Sequence, residues 1–284
     1  MTTRRGFLQA MTGGVGLAAL GASAASKHAP FGLQLYSLRH QLEKDVPGTL
    51  ARVKAMGFRE VETAGTYGLS IGDFAAALKT AGLRARSGHF PYERFRDDAA
   101  GVVRDGKALG SRFVACGSIP HKGTFTREHV LGAAEVFNGA ARAARAGGLR
   151  FAYHIHGFEF QPAPEGTLFD LLVTETARAG VNFEVDVLWA LAGGVDPAKL
   201  IEKLAGRVPL THLKDLRRGT PYTPPTDKLQ DTDNVVLGTG MIDFPGVLKA
   251  SEKAGVEIHF LEDEHPDSIA QLPHSLRYLR GLAG

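Results

Sequence analysis

From residue 30 onward, short apolar runs alternate with longer segments of helical spacing, and the alternation recurs eight times. The runs at 31–36, 58–63, 83–88, 112–116, 149–155, 181–187, 208–213 and 256–262 have the length and bounds of strands. Between them, "VPGTLARVKAMG" (46–57), "IGDFAAALKTAG" (71–82), "DDAAGVVRDGKALG" (97–110) and "TREHVLGAAEVFNGAARAARAGG" (126–148) predict helices. So do "LFDLLVTETARAG" (168–180), "DPAKLIEKLAG" (196–206) and "FPGVLKASEKAG" (244–255). Gly57, Gly82, Gly110, Gly148, Gly180, Gly206 and Gly255 each fall where a helix must end and turn back toward a strand. Asp196-Pro197 supplies an N-cap followed by proline at the first helical position.

Eight β–α units in one chain of this length predict an α/β fold, a closed (β/α)8 TIM barrel ringed by helices. An open doubly wound sheet fits less well, because "LQLYSLR" stands after the first strand where a glycine-rich phosphate turn would be needed. One connection breaks the rhythm. The Pro-, Asp- and Thr-rich stretch 216–240 is long for a compact domain and is expected to act as a lid on the catalytic face.

Strand alternation then sorts the polar residues. In "FAYHIH", Phe151, Tyr153 and Ile155 share the face suited to packing on helices, while Ala152, His154 and His156 share the other. In "NFEVDV", Glu184 and Asp186 oppose Phe183, Val185 and Val187. His212 and Lys214 lie two apart in "VPLTHLKD" and so share a face, and Glu262 follows Ile258 and Phe260. Adding Glu62 after the second strand and His89 after the third gathers ionisable residues at the carboxyl ends of the strands, where such barrels keep their active sites.

Nitrogen and carboxylate donors without sulfur suit one divalent ion: Mn, Co, Mg, Fe or Zn. Asp186, His212 and Glu262 are the firmest ligands, and either His154 or Glu159 is the fourth. Lys214 then faces what the metal binds, as a substrate-binding group or an electrophilic catalytic one, or else pairs with Glu184 or Glu262. Glu62, His89, Lys214 and Trp189 are the substrate-binding candidates. Glu262, Glu159 and His156 are candidates for moving protons, with His89 as a further one.

Composition narrows the partners. The 284 residues carry a formal charge of +3 with 44% hydrophobic residues. Arg4 and Arg5 belong to a start, "MTTRRGFLQAMTGGVGLAALGASAASKHA", with the anatomy of a twin-arginine export signal ending at Ala22-Ser23-Ala24. The expected protein is therefore periplasmic or otherwise exported, with residues 1–24 removed and 25–284 forming a single domain. Losing the two arginines leaves about +1, which gives no electrostatic footprint for nucleic acid. The apolar part of the signal is too short and glycine-rich for a lasting membrane anchor. Cys116 is the only cysteine, so no internal disulfide can form.

"FGLQLYSLR", "GFREVETAG", "YHIHGFEF", "VDVLWALAGGVDP", "RVPLTHLKD", "LGTGMIDFPGVLKASEKAG" and "LEDE" together resemble the sugar phosphate isomerase/epimerase family, xylose-isomerase-like barrels that also include inosose and dehydroshikimate dehydratases. The resemblance spans the mature chain. It implies a divalent metal at positions matching His154, Asp186, His212 and Glu262. Many relatives have Glu where His154 stands, so the family's glutamate pair for proton transfer is not intact here. It also implies a small-molecule carbohydrate as partner, and leaves a homodimer open.

The expected function is a metal-dependent isomerase or epimerase of a keto-sugar or related polyol, acting through an enediolate. The alternatives are a lyase or dehydratase built on the same site and a carbohydrate-binding barrel without catalysis.

Overall fold

The computed structural model describes residues 29–283; the expected export signal lies outside them. Eight strands close into a parallel barrel: β1 Phe31–Gln34, β2 Glu60–Ala64, β3 Arg84–Phe90, β4 Phe113–Cys116, β5 Arg150–His154, β6 Asn182–Asp186, β7 Leu210–Leu213 and β8 Ile258–Leu261. Each pairs with its successor, and β8 closes on β1.

Helices occupy all seven predicted intervals. The seven glycines named above all adopt left-handed conformations, with φ between 69° and 101°. A side chain there would strain the backbone that returns each helix to the sheet. Asp196 caps as expected, accepting from the N–H groups of Ala198 and Lys199.

Several helical features depart from the periodic pattern; the first strand, expected over 31–36, stops at Gln34 and gives way to a helical turn Leu35–Leu38 and the helix Arg39–Leu42. The helix Tyr92–Ala108 starts before residue 97 and kinks at Asp98, whose carboxylate accepts from Gly101 N–H and so begins its second part. A short helix, Val187–Ala192, follows β6 directly. The helix Ser268–Ala283 follows β8 and completes the ring.

Alternation separates two apolar layers. Phe113, Ala115, Ala152, Leu210, Ile258 and Phe260 fill the barrel interior. Odd-numbered neighbours such as Phe151, Tyr153, Phe183 and Val185 pack outward against the helices, with Phe137 and Phe169. At Gly32 an added Cβ would lie 2.7 Å from the Phe260 ring and 3.0 Å from the Glu60 carbonyl oxygen. Gly32→Ala is therefore expected to destabilise the barrel by about 1–3 kcal/mol, read as a lower urea midpoint at unchanged slope.

The amino-terminal end of the barrel is tied by arginines. Arg84 pairs with Glu60, Arg112 and Arg150 both reach Glu257, and Arg150 also lies 4.8 Å from the Phe113 ring centroid. These groups close the end remote from the cleft.

The 216–240 segment is pinned at the barrel rim. The Asp215 carboxylate accepts from the N–H groups of Gly238, Gly240 and Ile242, Thr226 N–H donates to the Ala192 carbonyl, and Arg39 bonds Asp231 at 2.8 Å. The segment supplies none of the residues lining the cleft described below.

Candidate metal centre

Strand register assembles the site. Asp186 pairs with His212 across β6 and β7, and His212 pairs with Phe260 across β7 and β8. Glu262, two residues beyond Phe260, therefore rises beside His212, and their Oε2 and Nδ1 atoms lie 2.7 Å apart. His154, the last residue of β5, brings Nε2 to 3.4 Å from Asp186 Oδ2. His154, Asp186, His212 and Glu262 thus each offer one donor atom, all within 4.8 Å of one another.

The donors suit a cation. Asp186 divides its labour: Oδ1 accepts from Leu188 and Trp189 N–H and starts the helix Val187–Ala192. Its Oδ2 is buried without a hydrogen-bond partner, as is His154 Nε2. Each orphaned polar atom costs about 1–3 kcal/mol, which a bound ion would offset. His154 Nδ1 lies 3.3 Å from the Gly117 carbonyl. A proton there leaves the Nε2 lone pair facing Asp186. Burial, then repulsion from His212 and His89, lowers the His154 pKa to about 3, keeping the imidazole neutral as a ligand must be.

A second group converges one layer deeper: Glu62, His89, Glu184 and the other nitrogen of His212. Here both histidine nitrogens are engaged, His212 Nε2 by Glu62 at 2.6 Å and His89 Nε2 by Glu184 at 2.7 Å, whereas in the upper set His212 Nδ1 is engaged by Glu262 and His154 Nε2 is left without a hydrogen bond. Gln34 Nε2 donates to the same Glu62 oxygen at 2.7 Å. Burial alone would raise the Glu62 pKa, but His89 and His212 outweigh it and hold the carboxyl well below its usual range. Burial likewise opposes charge on His89, yet Glu62 and Glu184 raise its pKa to about 10. This layer orients His212. With Nε2–H given to Glu62, Nδ1 is left to the upper set; the cleft is reached by His154 and Glu262 of that set and by His89 of the deeper one.

Glu62 is fully buried against His212 Nε2 and is not among the residues lining the cleft, a placement suited to positioning His212. Glu62→Gln is expected to weaken divalent-metal affinity about 10- to 100-fold without unfolding the barrel. Titration calorimetry with Mn²⁺ checks this.

Glu159 stands apart from both groups. It sits on the short turn Phe158–Phe160, fully buried, where its carboxylate accepts from the Tyr153 hydroxyl and from His156 N–H at 3.0 Å. Tyr153 belongs to the outward face of β5, so Glu159 is drawn away from the cluster and is in neither group of converging donor atoms. Burial pushes its carboxyl up to about 7.

The remaining predicted residues meet in one cleft of about 670 Å³, where His89, His154, His156, Trp189, Lys214 and Glu262 all contribute to the wall. Lys214 Nζ lies 3.3 Å from Glu262 Oε2, 3.5 Å from Asp186 Oδ2 and 5.6 Å from the Trp189 ring centroid. Burial alone would lower its pKa, but Glu262, Glu264 and Asp186 raise it well above the usual lysine value. The expected pairing with Glu262 is present, whereas Glu184 belongs to the deeper layer. His156 leaves Nδ1 buried without a partner, and burial holds its pKa well below the usual value.

Among the wall residues not singled out in the sequence, Gln34 and Glu264 stand nearest the ligand set through Glu62 and Lys214. Each had a signal: Gln34 is the polar residue of an otherwise apolar strand, and Glu264 continues the spacing of Phe260 and Glu262.

The sequence profile of the xylose isomerase-like TIM barrel family matches residues 50–282. The chain belongs to that family. Among solved structures it is similar to a sugar phosphate isomerase/epimerase from Parabacteroides distasonis, at 25% identity and a TM-score of 0.75 over 90% of this chain and 100% of that one. It shares its fold with the IolI protein, solved with a zinc atom bound, at 16% identity and a TM-score of 0.68 over 89% and 98% of the two chains. It also shares it with AsbF of Bacillus anthracis, a probable 3-DHS dehydratase, at 13% identity and a TM-score of 0.69 over 88% and 98%. No curated protein matches the sequence. This xylose isomerase-like barrel therefore has both isomerase/epimerase and dehydratase relatives by fold.

Proposed function

We propose that this family member is a divalent-metal-dependent isomerase or epimerase of a keto-sugar or a sugar-like polyol. The observation that carries the reading is the convergence of His154, Asp186, His212 and Glu262 at the cleft, with Asp186 Oδ2 and His154 Nε2 buried and unpartnered. The zinc seen in IolI and the name of the Parabacteroides relative support it.

A divalent cation held by those four residues would supply Lewis-acid stabilisation of the charge that develops on substrate oxygen as the α-proton leaves. The protein's own groups do the rest. Glu262 and His156 reach the cleft from just beyond β8 and β5, and the surroundings of each hold its pKa well below the usual value. For Glu262, burial opposes the charge, but Lys214 and His212 outweigh it. Either group can take the α-proton, and the other can return one. Lys214 stays charged, so it holds a substrate oxygen and does not donate its proton. Trp189 offers a flat apolar wall to a sugar ring.

The test is incubation of the metal-loaded protein with a panel of keto-sugars in D₂O, followed by proton NMR. Solvent deuterium at the α-carbon together with an isomeric product supports the reading. A product with new unsaturation assigns the lyase outcome, in line with the dehydratase relative. Ligand binding without exchange assigns a non-catalytic binding barrel.

We further propose that residues 1–24 direct export, on the strength of the paired arginines and the Ala22-Ser23-Ala24 tripeptide. Amino-terminal sequencing of the protein recovered outside the cytoplasm should begin near residue 25, and an intact terminus would contradict this.

A further inference from the structure

Lys214 poses an electrostatic problem for the centre just described. Its Nζ lies 3.3 Å from Glu262 Oε2 and 3.5 Å from Asp186 Oδ2, the two oxygens that a divalent cation would need. A buried ammonium beside both carboxylates is a rival for them, since either positive charge neutralises the same pair. The lysine is nonetheless held off centre. Its shortest contact is to Glu264 Oε1, at 2.5 Å, and Glu264 stands on the cleft wall two residues beyond Glu262.

We infer that Glu264 is a positioning residue that draws the Lys214 ammonium toward the cleft wall and so keeps Asp186 and Glu262 available to the metal. The inference rests on the metal-dependent reading above. The arrangement has three parts. Asp186 Oδ2 has no hydrogen bond of its own and would pair with the lysine if Glu264 released it. Lys214 is almost fully buried, 2% exposed, so it cannot escape into bulk water and must settle on one of the carboxylates around it. Trp189 flanks the ammonium and restricts the positions open to it. Glu264 alone among the three carboxylates lies outside the ligand set, so its charge holds the lysine without occupying a ligand atom.

Mn²⁺ and Zn²⁺ affinity, measured by titration calorimetry on the full mature chain, tests this without reference to activity. The variants are Glu264→Gln, Lys214→Met and the double substitution, each checked for an unchanged thermal transition in the metal-free state. Glu264→Gln should weaken binding about tenfold or more, in the range of other outer-layer partners of a metal site. Lys214→Met should bind at least as tightly as the parent. The double variant should bind like Lys214→Met alone, because Glu264 acts only through the lysine. Equal affinity of Glu264→Gln and the parent would overturn the inference. So would an undiminished loss from Glu264→Gln in the Lys214→Met background, which would mark Glu264 as a general negative charge. A parent that binds neither metal would overturn the metal reading as well, whereas a parent that binds normally isolates the failure to Glu264.

Discussion

Asp186→Asn should fold like the parent and lose divalent-metal affinity by more than about 100-fold, beyond the range for partners that only support a ligand. The reason is the division between its two oxygens. Asn keeps the oxygen that accepts from Leu188 and Trp189 N–H and starts the helix Val187–Ala192, but replaces Oδ2, the carboxylate oxygen that has no hydrogen bond. Asp186→Ala should lose the metal and the cap together, with about 1 kcal/mol of additional destabilisation. Thermal melts of the metal-free proteins, beside calorimetric metal binding, separate the two losses. Normal metal binding by Asp186→Asn would remove Asp186 from the ligand set. A melt lowered equally in both variants would show that the cap does not survive in Asn.

The second large effect is expected at Glu262. It is both a member of the ligand set and a buried anionic base on the cleft wall, so Glu262→Gln removes a ligand charge and a proton acceptor in one step. Turnover on a keto-sugar should fall by about 10²- to 10⁴-fold, the span of general acid–base catalysis. Solvent deuterium exchange at the α-carbon should fall with it. His156→Gln should behave differently, because His156 approaches from β5 and carries no ligand charge. It should slow net conversion more than exchange, the signature of a proton taken by one group and returned by another. Equal loss of both in His156→Gln would assign a single base. Full activity of Glu262→Gln with metal still bound would remove Glu262 from the chemistry.

Much of this architecture was legible in the sequence because the barrel is periodic. The seven predicted helices each end at a glycine that the fold holds at positive φ. Parity of two along β5, β6 and β7 placed His154, Asp186 and His212 on the inner face, and the register of neighbouring strands then brought them together. Parity gives the face but not the depth. Glu62 is inward like the ligands, yet β1–β2 pairing sets it beside Gln34 in the layer below, a long-range fact absent from the local pattern. Parity also stops where the strand stops. Glu159 lies on a turn, where the Tyr153 hydroxyl and His156 N–H decide its direction. The helix Val187–Ala192 was hidden because its apolar run continues that of β6, and only the Asp186 cap marks the change. The kink at Asp98 was hidden for the same kind of reason: a cap inside a helical pattern leaves the spacing on either side intact.

The most direct measurement of the central claim is metal content by mass spectrometry on purified residues 25–284, with Asp186→Asn prepared alongside. The account predicts about one equivalent of Mn, Co, Fe, Mg or Zn in the parent, after supplementation if needed, and a large loss in the variant. A parent that retains no divalent metal under any supplementation, or an Asp186→Asn protein that retains as much as the parent, would contradict it.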